Sequence, residues 1–248
     1  RVLQASVMSA HRRPIPCLRS CLDRGVGIAC RQKPGENALS STKVTDRLRA
    51  ARSELLEEAD IRVVQNQSLI EDRRKQICDA ATELFLEKGF AATTIRDICA
   101  RSNVNQASIY DYIANKNDIL RRVLNQLWFR EDVQMLPEIL LDDSIPLQEA
   151  IERFLRQSWK VKRKGTLLAY RCVPHLLPED RRALRIREAA LMKDLSDQLH
   201  RRLGLQDDDP RLDILANLVA FLQAFGPMRD WLHSDIPDET VLRTVAAG

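Results

Sequence analysis

Apolar residues recur along this chain with the period of a helix, and the sharpest run lies between residues 73 and 120. Ile77, Ala80, Ala81, Leu84 and Phe85 stand at i, i+3, i+4, i+7 and i+8, one stripe of an amphipathic helix. Lys88 followed by Gly89 predicts its end, a cation and then a residue free to turn left-handed. A second helix is predicted from Ile95. Thr94 is its N-cap and Asp97, three residues on, the acidic half of a capping box; Ile95, Ile98 and Cys99 form its buried side. Ser102-Asn103-Val104 breaks the pattern, and Asn103 tolerates the left-handed conformation that such a turn needs. Asn105 is predicted to cap a third helix with Ile109 and Ile113 facing inward. At about 100° per residue, Ala107, Ser108 and Asp111 then point outward, with Gln106, Tyr110 and Tyr112 on the flanks.

From Asn117 onward the pattern stays helical and is punctuated by prolines. It predicts helices over about 117–135, from Pro146 through Trp159, over 167–176 and over 179–203 with Gly204 as C-cap. A further helix over 211–232 follows the Asp207–Asp209 cap and Pro210, and a last one starts near Pro237. Glycine is scarce, 8 residues, and no Asn-Gly or Asp-Gly hairpin signal occurs. The expected class is all-α.

Three short helices in this order meet the requirements of a DNA-reading helix-turn-helix, whose recognition helix enters the major groove by its N-terminal end. Gln106 can pair bidentately with adenine, Ala107 can touch a thymine methyl, and Ser108 can bond either strand. Tyr110, Tyr112 and Lys116 can hold phosphates, which fix register and not sequence; the plainer alternative is that the tyrosines cap the small core and Lys116 is solvated. Thr94 is a cap or a phosphate donor at a helix N-terminus. Asp111 is acidic on the groove-facing side, where it accepts from cytosine or repels phosphate.

The segment Arg73–Leu120 resembles the DNA-binding domain of the tetracycline-repressor (TetR/AcrR) family of bacterial transcription regulators. The resemblance is carried by Ala81, Leu84, Phe85, Gly89, Phe90, Thr93, Thr94, Ile98, Val104, Ser108, Ile109, Tyr110, Lys116, Asp118 and Leu120. Cys99 departs from the family's small Ala, Asn103 from its Gly and Ile113 from its usual aromatic. The resemblance implies that Thr94, Gln106, Ala107, Ser108, Tyr110, Tyr112 and Lys116 are the DNA-contacting positions. It also implies an N-terminal three-helix domain over 71–120 and a helical ligand-binding and dimerisation domain over 121–248. An effector pocket would lie among the helices at 147–232, with Trp159, Tyr170, His175 and Phe221 as walls and Arg171 as an anion anchor. Core packing or a solvated charge is the competing reading of each. The implied protein is a homodimeric repressor on a palindromic operator, released by a small hydrophobic or acyl-type effector. The alternative is an architectural DNA-binding protein that answers to no effector, and the long C-terminal half speaks against it.

Composition adjusts this picture at the N-terminus. Net charge is only +4 over 248 residues, but residues 1–70 hold 12 Lys and Arg against 7 Asp and Glu. Residues 1–43 mix Arg, Pro, Ser, Cys and Gly without periodicity and read as a disordered basic extension. That composition also fits a transit peptide, or an upstream region translated from a start codon placed too early. Residues 44–70 read as a short helical arm or linker, with a helix over 44–62. Arg73, Arg74 and Lys75 reach phosphate or form a solvated helix start. His11, Cys17, Cys21 and Cys30 lack the paired C-x2-C spacing of a zinc site, so no metal is expected. The six cysteines suggest no disulfide framework and a reducing compartment. No phosphate-cradling glycine loop, H-E-x-x-H or G-x-S-x-G occurs, and the four histidines are scattered, so neither an enzyme nor a cofactor is expected. No apolar run reaches transmembrane length, and the expected location is cytoplasmic, at the nucleoid.

Overall fold

The computed structural model describes Asp46 and residues 56–61, 67–129, 132–204 and 209–247. The expectations for residues 1–43, including the His11 and Cys17 cluster, and for Asp207 lie outside the described residues. The described residues are helical and contain no strand. The helix expected over 44–62 does not cover 56–61, which runs as irregular backbone.

Helix α1, Gln67–Lys88, begins before the apolar stripe but buries all of it, adding Ile70, Cys78 and Thr82. Gly89 ends it at φ +87°, and the buried Thr93 hydroxyl donates to the Gly89 carbonyl at 2.8 Å, closing the turn. Phe90 tucks back against Phe85 with ring centroids 5.2 Å apart. Helix α2, Ile95–Ser102, opens on the expected capping box and ends at Asn103, left-handed at φ 54°. Arg101 at its last turn forks onto Glu83 and Glu87 of α1 at 2.9–3.0 Å, fixing the α1–α2 angle.

The third helix departs from expectation. Residues 105–113 form tight 3-10-type turns, with a 3-10 helix over Ile109–Asp111. Ser108, Asp111 and Tyr112 N–H groups bond three residues back, and only Ile113 reaches four back, to Ile109. Local side-chain bonds explain the tightening: Asn105 Oδ1 takes the Ala107 N–H at 2.9 Å, and Ser108 Oγ donates to the Asn105 carbonyl. Ile109 and Ile113 nevertheless face inward and are fully buried.

Helix α3, Lys116–Leu127, is shorter than the expected 117–135. Its C-terminal turn meets Gly165 so closely that a Cβ there would overlap the Leu127 carbonyl. Pro137 lies inside a four-residue helix, α4 (Leu136–Ile139). The remaining helices are α5 (Leu147–Val161), α6 (Arg163–Cys172), α7 (Pro178–Leu203), α8 (Arg211–Arg229) and α9 (Asp238–Ala247). Gly204 caps α7 left-handed as expected. The helix expected over 167–176 begins at Arg163 and finishes as a 3-10 turn, Val173–His175.

Two large apolar cores form among the described residues, with a small cluster at Leu191 beside them. The first joins α1, α2 and α3 to Leu168, Ala169 and Cys172 of α6 and Leu184 of α7. The second gathers Phe154, Leu155 and Trp159 of α5 with Leu195, Leu199, Leu212 and Ala216. The first core therefore continues past residue 120. Arg121 of α3 grips the buried Asp180 at the start of α7, its Nε lying 2.8 and 2.9 Å from the two carboxylate oxygens.

Candidate nucleic-acid interface

The 105–113 segment is anchored from below and open above. Fully buried Ile109 and Ile113 fasten it to the first core, while Gln106, Ala107, Tyr110 and Asp111 are exposed and Ser108 is half-buried. Tyr110 is 53% exposed. Because Asn103 sets the turn and Asn105 Oδ1 takes the Ala107 N–H, this face is preformed.

Three of the seven anticipated residues sit differently. Tyr112 is buried in the first core, and its carbonyl accepts from Arg74 Nε at 3.0 Å. The face therefore offers Tyr110 and not Tyr112: the steep 3-10 turn rotates residue 112 inward. Lys116 does not project as expected. Its Nζ lies 4.3 Å from the Phe90 ring centroid and donates to the Phe90 and Thr93 carbonyls, each at 2.9 Å. Burial pushes the Lys116 pKa below its ordinary 10.5. Thr94 is exposed, but its hydroxyl donates to Asp97 Oδ2 at 2.7 Å and accepts from the Asp97 N–H at 3.1 Å. The donors left at that helix end are first-turn backbone N–H groups. Lys88 Nζ, 2.7 Å from Asp97 Oδ2, is the largest reason the Asp97 carboxyl sits well below its ordinary range, followed by the bonds from Thr94. The basic trio 73–75 lies inside α1 and not at its start: Arg74 holds the Tyr112 carbonyl and Lys75 pairs with exposed Asp79 at 2.6 Å.

The five residues expected to line an effector pocket are not brought together. Trp159 is core, its indole N–H donating to the Leu222 carbonyl at 3.3 Å. Tyr170 and Phe221 meet edge-to-face near the surface, centroids 5.7 Å apart. Arg171 reaches the Leu86 carbonyl at 2.7 Å, and His175 stacks on Phe90. These last two tie α6 and its 3-10 extension to α1 and to the turn that follows it. A cavity of about 50 Å³ lies elsewhere, among Trp128, Phe129, Met135, Phe154, Arg187 and Leu191. Lys162 and Glu188 also border it; burial pushes the Glu188 carboxyl above its ordinary 4.5, with Arg187 and Lys162 opposing. The Arg187 guanidinium stands 3.7 Å over the Phe129 ring. Sequence reasoning missed these residues because they come from four separated segments, and nothing local in the sequence marks that convergence.

A second exposed feature is an apolar stripe on α8. Ile214, Leu218, Phe221 and Met228 share one face, and Trp231, Leu232 and Ile236 continue beyond it, all between 40% and 71% exposed. None of the helices in the described residues is long and apolar enough to cross a membrane.

Residues 77–123 match the family described as bacterial regulatory proteins, tetR family. Over 128 residues the chain is 34% identical to the HTH-type transcriptional regulator HbdR of Aromatoleum sp. (strain CIB), covering 49% of this chain and 53% of that protein. Over 51 residues it is 47% identical to the HTH-type transcriptional repressor Rv3405c of Mycobacterium tuberculosis (strain ATCC 25618 / H37Rv), covering 21% of this chain and 27% of that one. The matched stretch thus spans about half the length of HbdR and about a quarter of Rv3405c. In overall fold the chain is similar to the TetR family transcriptional regulator PfmR of Thermus thermophilus, with a TM-score of 0.52 at 20% identity over 70% of this chain and 93% of that one.

Proposed function

We propose that the chain, which is similar to the tetR family of bacterial regulatory proteins through residues 77–123, is a DNA-binding transcriptional repressor and not an enzyme. The observation that carries this reading is the preformed face of Gln106, Ala107, Ser108 and Tyr110, held outward by Ile109 and Ile113. In this reading Gln106, Ala107 and Ser108 meet base edges, and Tyr110 meets phosphate together with backbone N–H groups at the start of α2. Tyr112 and Lys116 act indirectly by fixing the face. The apolar stripe of α8 pairs two copies, which sets two such faces one helical turn apart on a near-palindromic operator.

The effector enters the cavity beside Phe129 and Arg187. Its walls are mostly apolar with Arg187, Lys162 and Glu188 among them, which suits a small, mainly hydrophobic compound of acyl type. At about 50 Å³ the cavity must widen to take such a molecule, and Trp128 and Phe129 directly follow α3. A ligand that binds the widened form better shifts the population and moves α3 with it.

The test is fluorescence anisotropy on DNA flanking the protein's own gene, comparing wild type with Tyr110→Ala at two salt concentrations. Tight, competitor-resistant binding that the variant loses is expected. Equal, weak binding by both proteins to every fragment would overturn the assignment of this face.

A further inference from the structure

Residues 56–61 lie against one face of α3, and six hydrogen bonds join them to it. Asn125 acts as a backbone clamp: its Oδ1 accepts the Leu56 N–H and its Nδ2 donates to the Leu56 carbonyl, both at 2.9 Å. Asp118 Oδ1 accepts the Ala59 N–H at 2.9 Å, and Arg122 Nη2 donates to the Ala59 carbonyl at 2.7 Å. The Glu58 carboxylate is shared, one oxygen 2.6 Å from Arg122 Nη1 and the other 2.9 Å from Asn125 Nδ2. Asp118, Arg122 and Asn125 stand at i, i+4 and i+7, and each is less than 10% exposed. The Leu56 side chain joins the first core.

Polar side chains arranged so that four of their hydrogen bonds go to another segment's backbone form a site for that segment. Without residues 56–61, Asn125 would lose these three bonds and Arg122 two. The strap residues lie outside the stretch matched to the family, 77–123.

We propose that this face of α3 is a receptor for an extended L-x-E-A segment, filled in cis by residues 56–61, and that the strap positions the 105–113 face. The link runs through one carboxylate. Asp118 Oδ1 takes the strap's Ala59 N–H, while Oδ2 takes the N–H of Ala114, directly after Ile113, at 2.9 Å, and the Arg122 Nε at 3.2 Å. When the strap leaves, Asp118 and Arg122 lose partners on one side, and the backbone that ends the face loses its fixed anchor. Asp118, Arg122 and Asn125 are then positioning residues. A strap tethered to its own receptor acts at an effective concentration in the millimolar range for a short linker, so a free peptide competes poorly while it is seated. The effect on DNA rests on the reading of the 105–113 face proposed above; the strap itself does not.

The test uses the full chain. Ala59→Pro removes the N–H given to Asp118, and Asn125→Leu removes the clamp from the receptor side. Each is studied at a temperature where circular dichroism shows the wild-type helix content. If Ala59→Pro fails to fold, Glu58→Ala, which removes the carboxylate shared by Arg122 and Asn125, takes its place. Amide exchange at Ala114 is expected to be at least tenfold faster in each variant. A fluorescent peptide of residues 53–62 is expected to bind the Ala59→Pro chain, to bind wild type at least tenfold more weakly, and to lose binding when Asn125→Leu is added. Operator affinity is expected to fall about tenfold in Ala59→Pro and to recover with saturating peptide. Unchanged exchange at Ala114 with no peptide binding overturns the receptor. Peptide binding with unaltered operator affinity overturns the positioning role. If wild type itself binds no operator while exchange and peptide respond as expected, the strap stands and the DNA-reading assignment fails.

Discussion

Asp97 collects three donors, the Thr94 N–H at 2.8 Å, the Thr94 hydroxyl at 2.7 Å and Lys88 Nζ at 2.7 Å. Its carboxyl is therefore held, first by Lys88, well below the ordinary 3.8. The sign of the pH effect follows. A carboxyl with a depressed folded pKa binds fewer protons folded than unfolded, so its contribution is complete above about pH 3.8 and is lost as pH falls through the folded value. Asp97→Asn should lower the melting temperature at pH 7, and the difference from wild type should shrink as pH drops below 3.8; a gap that stays constant with pH would refute the linkage. Lys116 gives the opposite lesson. Its ammonium satisfies two carbonyls and lies over Phe90, so Lys116→Met should cost about 1–3 kcal/mol in urea unfolding, with DNA affinity falling only as far as the fold does. A variant as stable as wild type that has lost operator binding would return Lys116 to the phosphate. The Thr94–Asp97 cap was legible because its partners are three residues apart. The Lys116 role was not, because its acceptors lie 23 and 26 residues away and are backbone atoms that carry no sequence identity.

At the scale of elements, apolar period located the helices, and local competition decided their type. The pair Ile109 and Ile113 placed the 105–113 segment on the core in advance, but two apolar residues do not specify the turn type, which the local bonds of Asn105 and Ser108 favour as 3-10. The same change of pitch carries Tyr112 inward. The close approach of the end of α3 to α6 was illegible for a different reason, since it needs a glycine 38 positions away. Gly165 is helical and needs no special dihedral angle; what it supplies is room for the α3 backbone. Gly165→Ala should force the two helices apart and destabilise the fold by about 1–3 kcal/mol, read as a lower urea midpoint with unchanged slope. Gly226 plays the matching part in the second core, where a Cβ would stand about 2.5 Å from the Trp159 indole. Gly226→Ala should shift Trp159 fluorescence, and a spectrum identical to wild type would mean that the indole yields without cost.

For the whole molecule the decisive balance is between apolar surface exposed and apolar surface buried. Ile214, Leu218, Phe221 and Met228 recur along α8 with the helical period, and Trp231, at 71% exposed, lies just beyond. A stripe of this length is more than scattered surface leucines require, and large exposed apolar patches mark interaction sites. A stable interface needs about 800 Å² from each partner, and each buried aromatic supplies about 150–250 Å² of it, so Phe221 and Trp231 would provide a substantial share. The first core supports the same arrangement from within. It joins α1–α3 to α6 and α7, and Arg121 is bonded to the buried Asp180, so pairing through α8 would fix the separation of two 105–113 faces through a continuous body and not a loose tether. Leu218→Asp combined with Phe221→Glu places two carboxylates on the stripe, where seating them against a second copy would cost several kcal/mol. Wild type is expected to sediment at twice 28.4 kDa and the double variant at 28.4 kDa, with helix content unchanged because neither side chain is buried in the chain itself. Operator affinity should then fall by orders of magnitude while affinity for a single half-site stays within a few-fold of wild type. A wild-type chain that sediments as a monomer and still binds the full operator tightly would remove the stripe from the account of DNA binding and leave it to a different partner.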